Sequence, residues 1–371
     1  MIVDDWIAQK IGLTPGEPLT RRALEAWQLA KLNETLLRVT TGSAFYRERL
    51  EGVTGKAGIT AAGTDGFAGG PKAGAQGPSP FVPGRLLTQI LQTLPFTTPE
   101  DLVRGGASLV CVPASRVDRI VTLPTSGTTG APKRVWFTNA DQELMTDYIH
   151  HGLPVMVRPG DVFLVLMPCE RPGSVGDLVA IGVERIGARA LRVGAIPSAG
   201  DCDREVLGLM AREGVTTGLA TAPTAARLAR RCAHSPEGEA IRRNMRTILL
   251  SAQYISDKDK DDIEGIWDCL AYEHYGMTEM GLGGAMACEV REGYHPREAD
   301  LLFEIIDPGT GAVLPDGEYG EIVFTTLTRE AMPLIRYRTG DHSRFLPEPC
   351  PCGSVLKRLD KVGDRHERKN Y

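Results

Sequence analysis

Residues 119–137 read RIVTLPTSGTTGAPKRVWF, and the middle of that stretch decides how the rest of the chain is read. An apolar run at 120–123 fits a strand. After it come Thr125, Ser126, Gly127, Thr128, Thr129 and Gly130, then Lys133, a sequence that core packing does not call for. The glycines let backbone amides face an anion, the hydroxyls donate hydrogen bonds and the lysine adds a compact cation, so the stretch has the parts of a polyphosphate cradle. Its spacing is not G-x-x-x-x-G-K-[ST], which excludes a kinase-like P-loop. On composition alone, a Ser/Thr turn with a solvent-facing lysine explains the stretch equally well.

Working outward, the elements alternate. DVFLVLMP from Asp161 reads as a buried strand, VGDLVAIGVERIG from Val175 as a helix, PTAARLARRCAHSPEGEAIRRN as a helical segment and RTILLSA from Arg246 as a strand. Strand and helix in alternation predict an α/β fold with a mostly parallel sheet. Upstream, Thr20 is placed to cap a helix whose Leu29, Leu32, Leu36 and Val39 recur at helical spacing. Residues 55–84 alternate glycine, alanine and proline and read as a mobile surface insertion, because few side chains offset the entropy of ordering them. Downstream, LLFEIIDPGTGAVLPDGEYGEIVFTTL predicts two short strands in a smaller antiparallel or mixed layer.

With 371 residues the chain can bury a sizeable core. A net charge of −5 without a basic block argues against nucleic acid as a partner. The N-terminus carries Asp4 and Asp5 instead of an apolar signal region, and no window is long and uncharged enough to span a membrane, so the expected location is the cytoplasm. Eight cysteines are too sparse for a disulfide scaffold. Cys288 and His295 in CEVREGYH, with Cys350 and Cys352 in CPC, make a tetrahedral zinc set of three thiolates and one imidazole, structural because no ligand position stays open. The competing reading is reduced thiols with no metal. Cys111, Cys169, Cys202, Cys232 and Cys269 have no such spacing and read as packing residues.

TSGTTGAPK resembles the phosphate-binding motif of the adenylate-forming enzymes, the superfamily of acyl- and aryl-CoA ligases. EHYGMTEMG resembles their aromatic-glycine-x-Thr-Glu segment, and TTLTREAMPLIRYRTGD their R-x-x-x-R-T-G-D region. SAFYRERL, LPFTTPEDL and CPCG point to the phenylacetate-CoA ligase branch. The resemblance implies the large N-terminal domain of that superfamily, with layered sheets flanked by helices and a smaller mixed β subdomain. The expected divisions are a helical and insertion region at 1–115, a nucleotide-binding core at 116–285 and a mixed β part at 286–371.

It further implies ATP as substrate, held by residues 125–130 and Lys133. Tyr275 would stack on adenine, Gly276 would allow close approach, and Thr278 and Glu279 would contact the α-phosphate and hold Mg2+. Asp341 would accept both ribose hydroxyls, and Arg365 would stand for the arginine near the domain hinge. The reaction implied is attack of a carboxylate, aromatic by family precedent, on the α-phosphorus of ATP to give an acyl-adenylate and pyrophosphate.

The chain departs from the family pattern at three places. SAQ at 251–253 replaces a Gly-Gly/Ala-Glu adenine loop, PCERPGSVGD at 168–177 differs from the usual acid-pocket pattern, and the sequence stops at Tyr371, before the small C-terminal domain that supplies the adenylation lysine. Lys361 and Lys369 precede that domain and take no such role. Three readings follow: adenylation of an acid, with or without a second polypeptide supplying the C-terminal domain and with or without CoA; AMP transfer to a cofactor, as in coenzyme-F390 synthetases; and nucleotide binding without catalysis. A homodimer is compatible with each.

Overall fold

The computed structural model describes residues 2–52, 83–123, 132–197 and 202–363. Two units interleave along the chain: a first of Met1–Trp6, Ala140–Arg297 and Asp341–Tyr371, and a second of Ile7–Asn139 and Glu298–Gly340. In the second, the Thr20 side chain accepts a hydrogen bond from the Ala23 amide and opens the helix Arg21–Gly42. Leu24, Leu29, Leu32, Leu36 and Val39 form its buried stripe. Strands β1 (Arg119–Leu123) and β2 (Lys133–Phe137) pair antiparallel, with Ile120 opposite Trp136. The 55–84 stretch lies outside the described residues except for its last two, which open the helix Pro83–Thr93. Proline is suited to that first helical position because it has no amide to leave unpaired.

The first unit carries a seven-stranded sheet. Strands β3 (Val162–Val165), β4 (Arg189–Arg192), β5 (Thr217–Ala220), β6 (Thr247–Leu250) and β7 (Leu270–Tyr275) run parallel, and the short β8 (Ala285–Met286) and β9 (His295–Pro296) extend it antiparallel in the order β4-β3-β5-β6-β7-β8-β9. Every residue of β5 and β6 is buried, as expected of central parallel strands covered on both faces. Val175–Ile186 is the expected helix, ended by Gly187 in the left-handed conformation.

The helical segment read at 223–244 is two helices, Ala222–Cys232 and Gly238–Asn244. The break contains Pro236, which lacks an amide donor and biases Ser235 away from helical dihedrals. On the first of these helices Ala225, Ala226 and Ala229 are fully buried, in a core shared with Ile263 and Trp267 of the helix Asp257–Trp267.

The smaller layer contains β10 (Leu301–Ile306), β11 (Gly320–Thr326) and β12 (Tyr337–Ser343). Strands β10 and β11 are antiparallel, with Phe303 opposite Phe324, as the sequence predicts. Just before β12, Arg336 adopts a positive φ of 45°. Its guanidinium binds both oxygens of Glu304 at 2.9 and 3.0 Å and lies 4.1 Å over the Phe96 ring. Burial pushes the Glu304 carboxyl above its ordinary range, and Arg336 opposes that shift. Removing either partner would strand a buried charge, at a cost of about 3–5 kcal/mol.

Candidate functional site

Strand β7 ends on Tyr275, whose hydroxyl donates to Asp341 Oδ2 at 3.0 Å across 66 residues of sequence. Both residues are buried. Two motifs that the sequence analysis assigned to one nucleotide therefore meet in the first unit. Gly276 follows, and a Cβ there would fall 1.9 Å from the Leu282 carbonyl oxygen. The glycine is thus required by the return of its own chain. That return is a tight turn, Thr278–Met280, closed by Gly281 in the left-handed conformation and followed by Leu282 with φ of 75°. Glu279 is buried within it.

Before Tyr275 comes the buried His274, which nothing in the sequence singled out. Its Nδ1 lies 2.9 Å from Ser251 Oγ, at the end of β6. Its Nε2 is buried without a hydrogen-bond partner. Burial, and secondarily the charge of Arg297, lowers its pKa to about 4. Ser251 leads into Ala252, which holds a left-handed φ of 70°, an uncommon conformation for a non-glycine residue.

Residues 125–130 and Arg365 lie outside the described residues. Lys133 opens β2 opposite Leu123 in the second unit. Before Asp341, Arg338 is not a loose surface charge: it pairs with the buried Glu321, whose other oxygen accepts from the Gly340 amide at 3.0 Å. Residues 336–340 of this segment are thus anchored through Arg336, Arg338 and Gly340.

Cys288, His295, Cys350 and Cys352 come together with all four ligand atoms within 4.8 Å of one another. Cys288 Sγ lies 3.7 Å from Cys350 Sγ, and Cys352 Sγ lies 3.3 Å from His295 Nε2. His295 Nδ1 is 3.0 Å from the Lys357 carbonyl oxygen. A carbonyl can only accept, so the proton sits on Nδ1 and the Nε2 lone pair faces the thiols, as metal-ligating histidines require. Burial raises the Cys288 and Cys352 thiols, a direction that a bound cation reverses. Three soft sulfurs and an imidazole, with the second nitrogen already fixed, fit a metal ion of zinc type. A cavity of about 300 Å³ adjoins this cluster, lined by Val3, Tyr148, Gly152, Met286, Cys288 and His295. Its lining includes neither Tyr275 nor Asp341.

Among the described residues no helix is long and apolar enough to cross a membrane. Residues 48–327 match the family of AMP-binding enzymes. The chain is 30% identical to the phenylacetate-coenzyme A ligase of Thermus thermophilus over 93% of its own length and 71% of that protein's. It is 30% identical to the Escherichia coli phenylacetate-coenzyme A ligase over 75% of its length and 62% of the relative's. In fold it resembles a 2-hydroxyisobutyryl-CoA ligase solved with 2-HIB-AMP and CoA, with a TM-score of 0.74 at 23% identity, covering 92% of this chain and 68% of that one. A match over most of the chain makes this protein an AMP-binding enzyme of the phenylacetate-CoA ligase-like branch, whose chemistry is ATP-dependent formation of acyl-adenylates.

Proposed function

We propose that the protein adenylates a compact carboxylic acid, aromatic by kinship with the phenylacetate-CoA ligases, releasing pyrophosphate. The observation that carries the reading is the 3.0 Å contact between Tyr275 and Asp341, which brings the aromatic-glycine segment and the aspartate of RYRTGD to one place. In this reading Asp341 accepts the ribose hydroxyls and the Tyr275 ring packs on adenine. Residues Thr125 to Gly130 and Lys133 hold the phosphates, with Thr278 at the α-phosphate and Arg365 near the hinge. A carboxylate oxygen of the acid forms the new bond to the α-phosphorus as the bond to the bridging oxygen breaks, and pyrophosphate leaves with that electron pair. Donors aimed at the charge that develops on the phosphoryl oxygens supply the rate. Magnesium, held by Glu279, would neutralise phosphate charge. Zinc in the Cys288, His295, Cys350 and Cys352 set would be structural. Transfer to coenzyme A is the activity named for the relatives, and the activity proposed here ends at the adenylate.

Calorimetric titration with Mg-ATP, set against AMP and GTP, tests the first step, and pyrophosphate release over a panel of acids tests the second. Saturable ATP binding with acid-dependent pyrophosphate supports the reading. Absence of both sinks it.

A further inference from the structure

The His274 imidazole is held on one side only. Nδ1 lies 2.9 Å from Ser251 Oγ, while Nε2 is buried with no partner. A buried polar atom left unsatisfied is costly, and native structures keep few of them. The location favours a ligand. Ser251 and His274 stand at the carboxyl ends of the parallel strands β6 and β7, the end at which open α/β sheets bind ligands. Side chains alternate along a strand, so His274 faces away from Tyr275 and its partner Asp341. It shares its face with Met286, its directly paired neighbour on β8. If the nucleotide takes the Tyr275 face, the face presented by His274 is left to the second reactant.

We infer that His274 is a specificity-determining residue whose Nε2 hydrogen-bonds a hydroxyl substituent on the acid, an inference that rests on the adenylation reading above. A hydroxyl is the group that fits both states of the ring. If Ser251 donates to Nδ1, Nε2 carries the proton and donates to the ligand. If Nδ1 donates to Ser251, Nε2 accepts from it. The ring is neutral near neutral pH, because burial and the charge of Arg297 disfavour the imidazolium. It therefore offers no counter-charge for a second carboxylate on the substrate. A site built to bond a hydroxyl discriminates against the analogue lacking it far better than an apolar pocket discriminates by size.

The test compares phenylacetate with its 3-hydroxy, 4-hydroxy and α-hydroxy forms, using pyrophosphate release by the full chain. The expected result is that at least one hydroxylated acid exceeds the plain acid by about tenfold or more in kcat/KM. His274→Leu should remove that ratio while the KM for ATP moves less than twofold, and His274→Gln, which keeps a polar atom near Nε2, should restore part of it. If His274→Leu does not fold, the wild type decides: the 15N resonance of His274 Nε2 shifts when the preferred acid is added and stays fixed with phenylacetate. The inference is overturned if the plain acid is used as well as every hydroxylated one, or if the ratio survives His274→Leu. If none of the acids elicits pyrophosphate release and ATP does not bind, the adenylation reading fails instead, and this inference with it.

Discussion

Two contacts in the first unit span nearly the same length of chain and differ in what they leave unfinished. Tyr275 reaches Asp341 across 66 residues, and Cys288 reaches Cys350 across 62. The first joins a neutral hydroxyl to a carboxylate and is complete without a ligand, because the donor meets the charge it was folded against. The second brings three sulfurs and an imidazole nitrogen within 4.8 Å, where the thiols offer only weak S–H donors, at 3.7 Å between Cys288 and Cys350 and 3.3 Å from Cys352 to His295 Nε2. One region is therefore preorganised by its own hydrogen bond to a carboxylate, whereas the other is a set of soft donors whose arrangement suits a cation.

The sharpest way to break this contrast is to take the metal away. Stripping it with a strong chelator should destabilise the protein by several kcal/mol, roughly 3 or more, since binding energy at a structural site is folding energy. Thermal melts with and without chelator, alongside metal analysis, check this; an unchanged melt in protein that carries no metal would place both contacts in one class.

The next largest effect belongs to His274, which sits in the same sheet but needs no metal. Its folded pKa, about 4, lies below the unfolded value near 6.5. The unfolded chain therefore takes up the proton first as pH falls. Stability is fully present above about pH 6.5 and declines toward pH 4, by on the order of 3 kcal/mol. His274→Gln should flatten that part of a denaturation series measured from pH 7 to 4. An equal slope in both proteins would assign the loss to other groups.

The smallest effects test the preorganised contact. Asp341→Ala should weaken ATP binding by roughly 2–3 kcal/mol, the loss of hydrogen bonds to a charged group. Tyr275→Phe removes only the hydroxyl that orients Asp341 and should cost less, about 1 kcal/mol. Calorimetry on both variants, each with a melt to verify folding, sets the order. If Tyr275→Phe were the worse of the two, the hydroxyl would matter more than the carboxylate it positions.

Much of this was legible beforehand, for reasons that individual residues show. The Thr20 cap, the helix Val175–Ile186 and the strand at Thr247–Leu250 rest on local rules, periodicity and capping, which act within a few residues. The single helical segment at 223–244 failed locally, because apolar spacing persisted through a proline that breaks the backbone ladder. His274 could not be read as special at all: a histidine in a strand is ordinary until its two nitrogens are seen to be treated differently. The anchoring of RYRTGD by Glu304 and Glu321 was equally hidden, since charge pairs separated by 17 to 32 residues leave no periodic mark.

By itself the sequence determined the chemistry on offer: a hydroxyl and glycine loop, an aromatic before glycine, an aspartate after it, three late cysteines and a histidine. Residue type is local, and donor capacity travels with it. Tertiary structure decided which of these groups meet, which nitrogen of His295 faces the thiols, and which nitrogen of His274 is left over. Those outcomes depend on strand register and on the return of residues 341–360 to β7 and β9, and both are fixed by burial summed over the whole sheet, which no short stretch of sequence encodes.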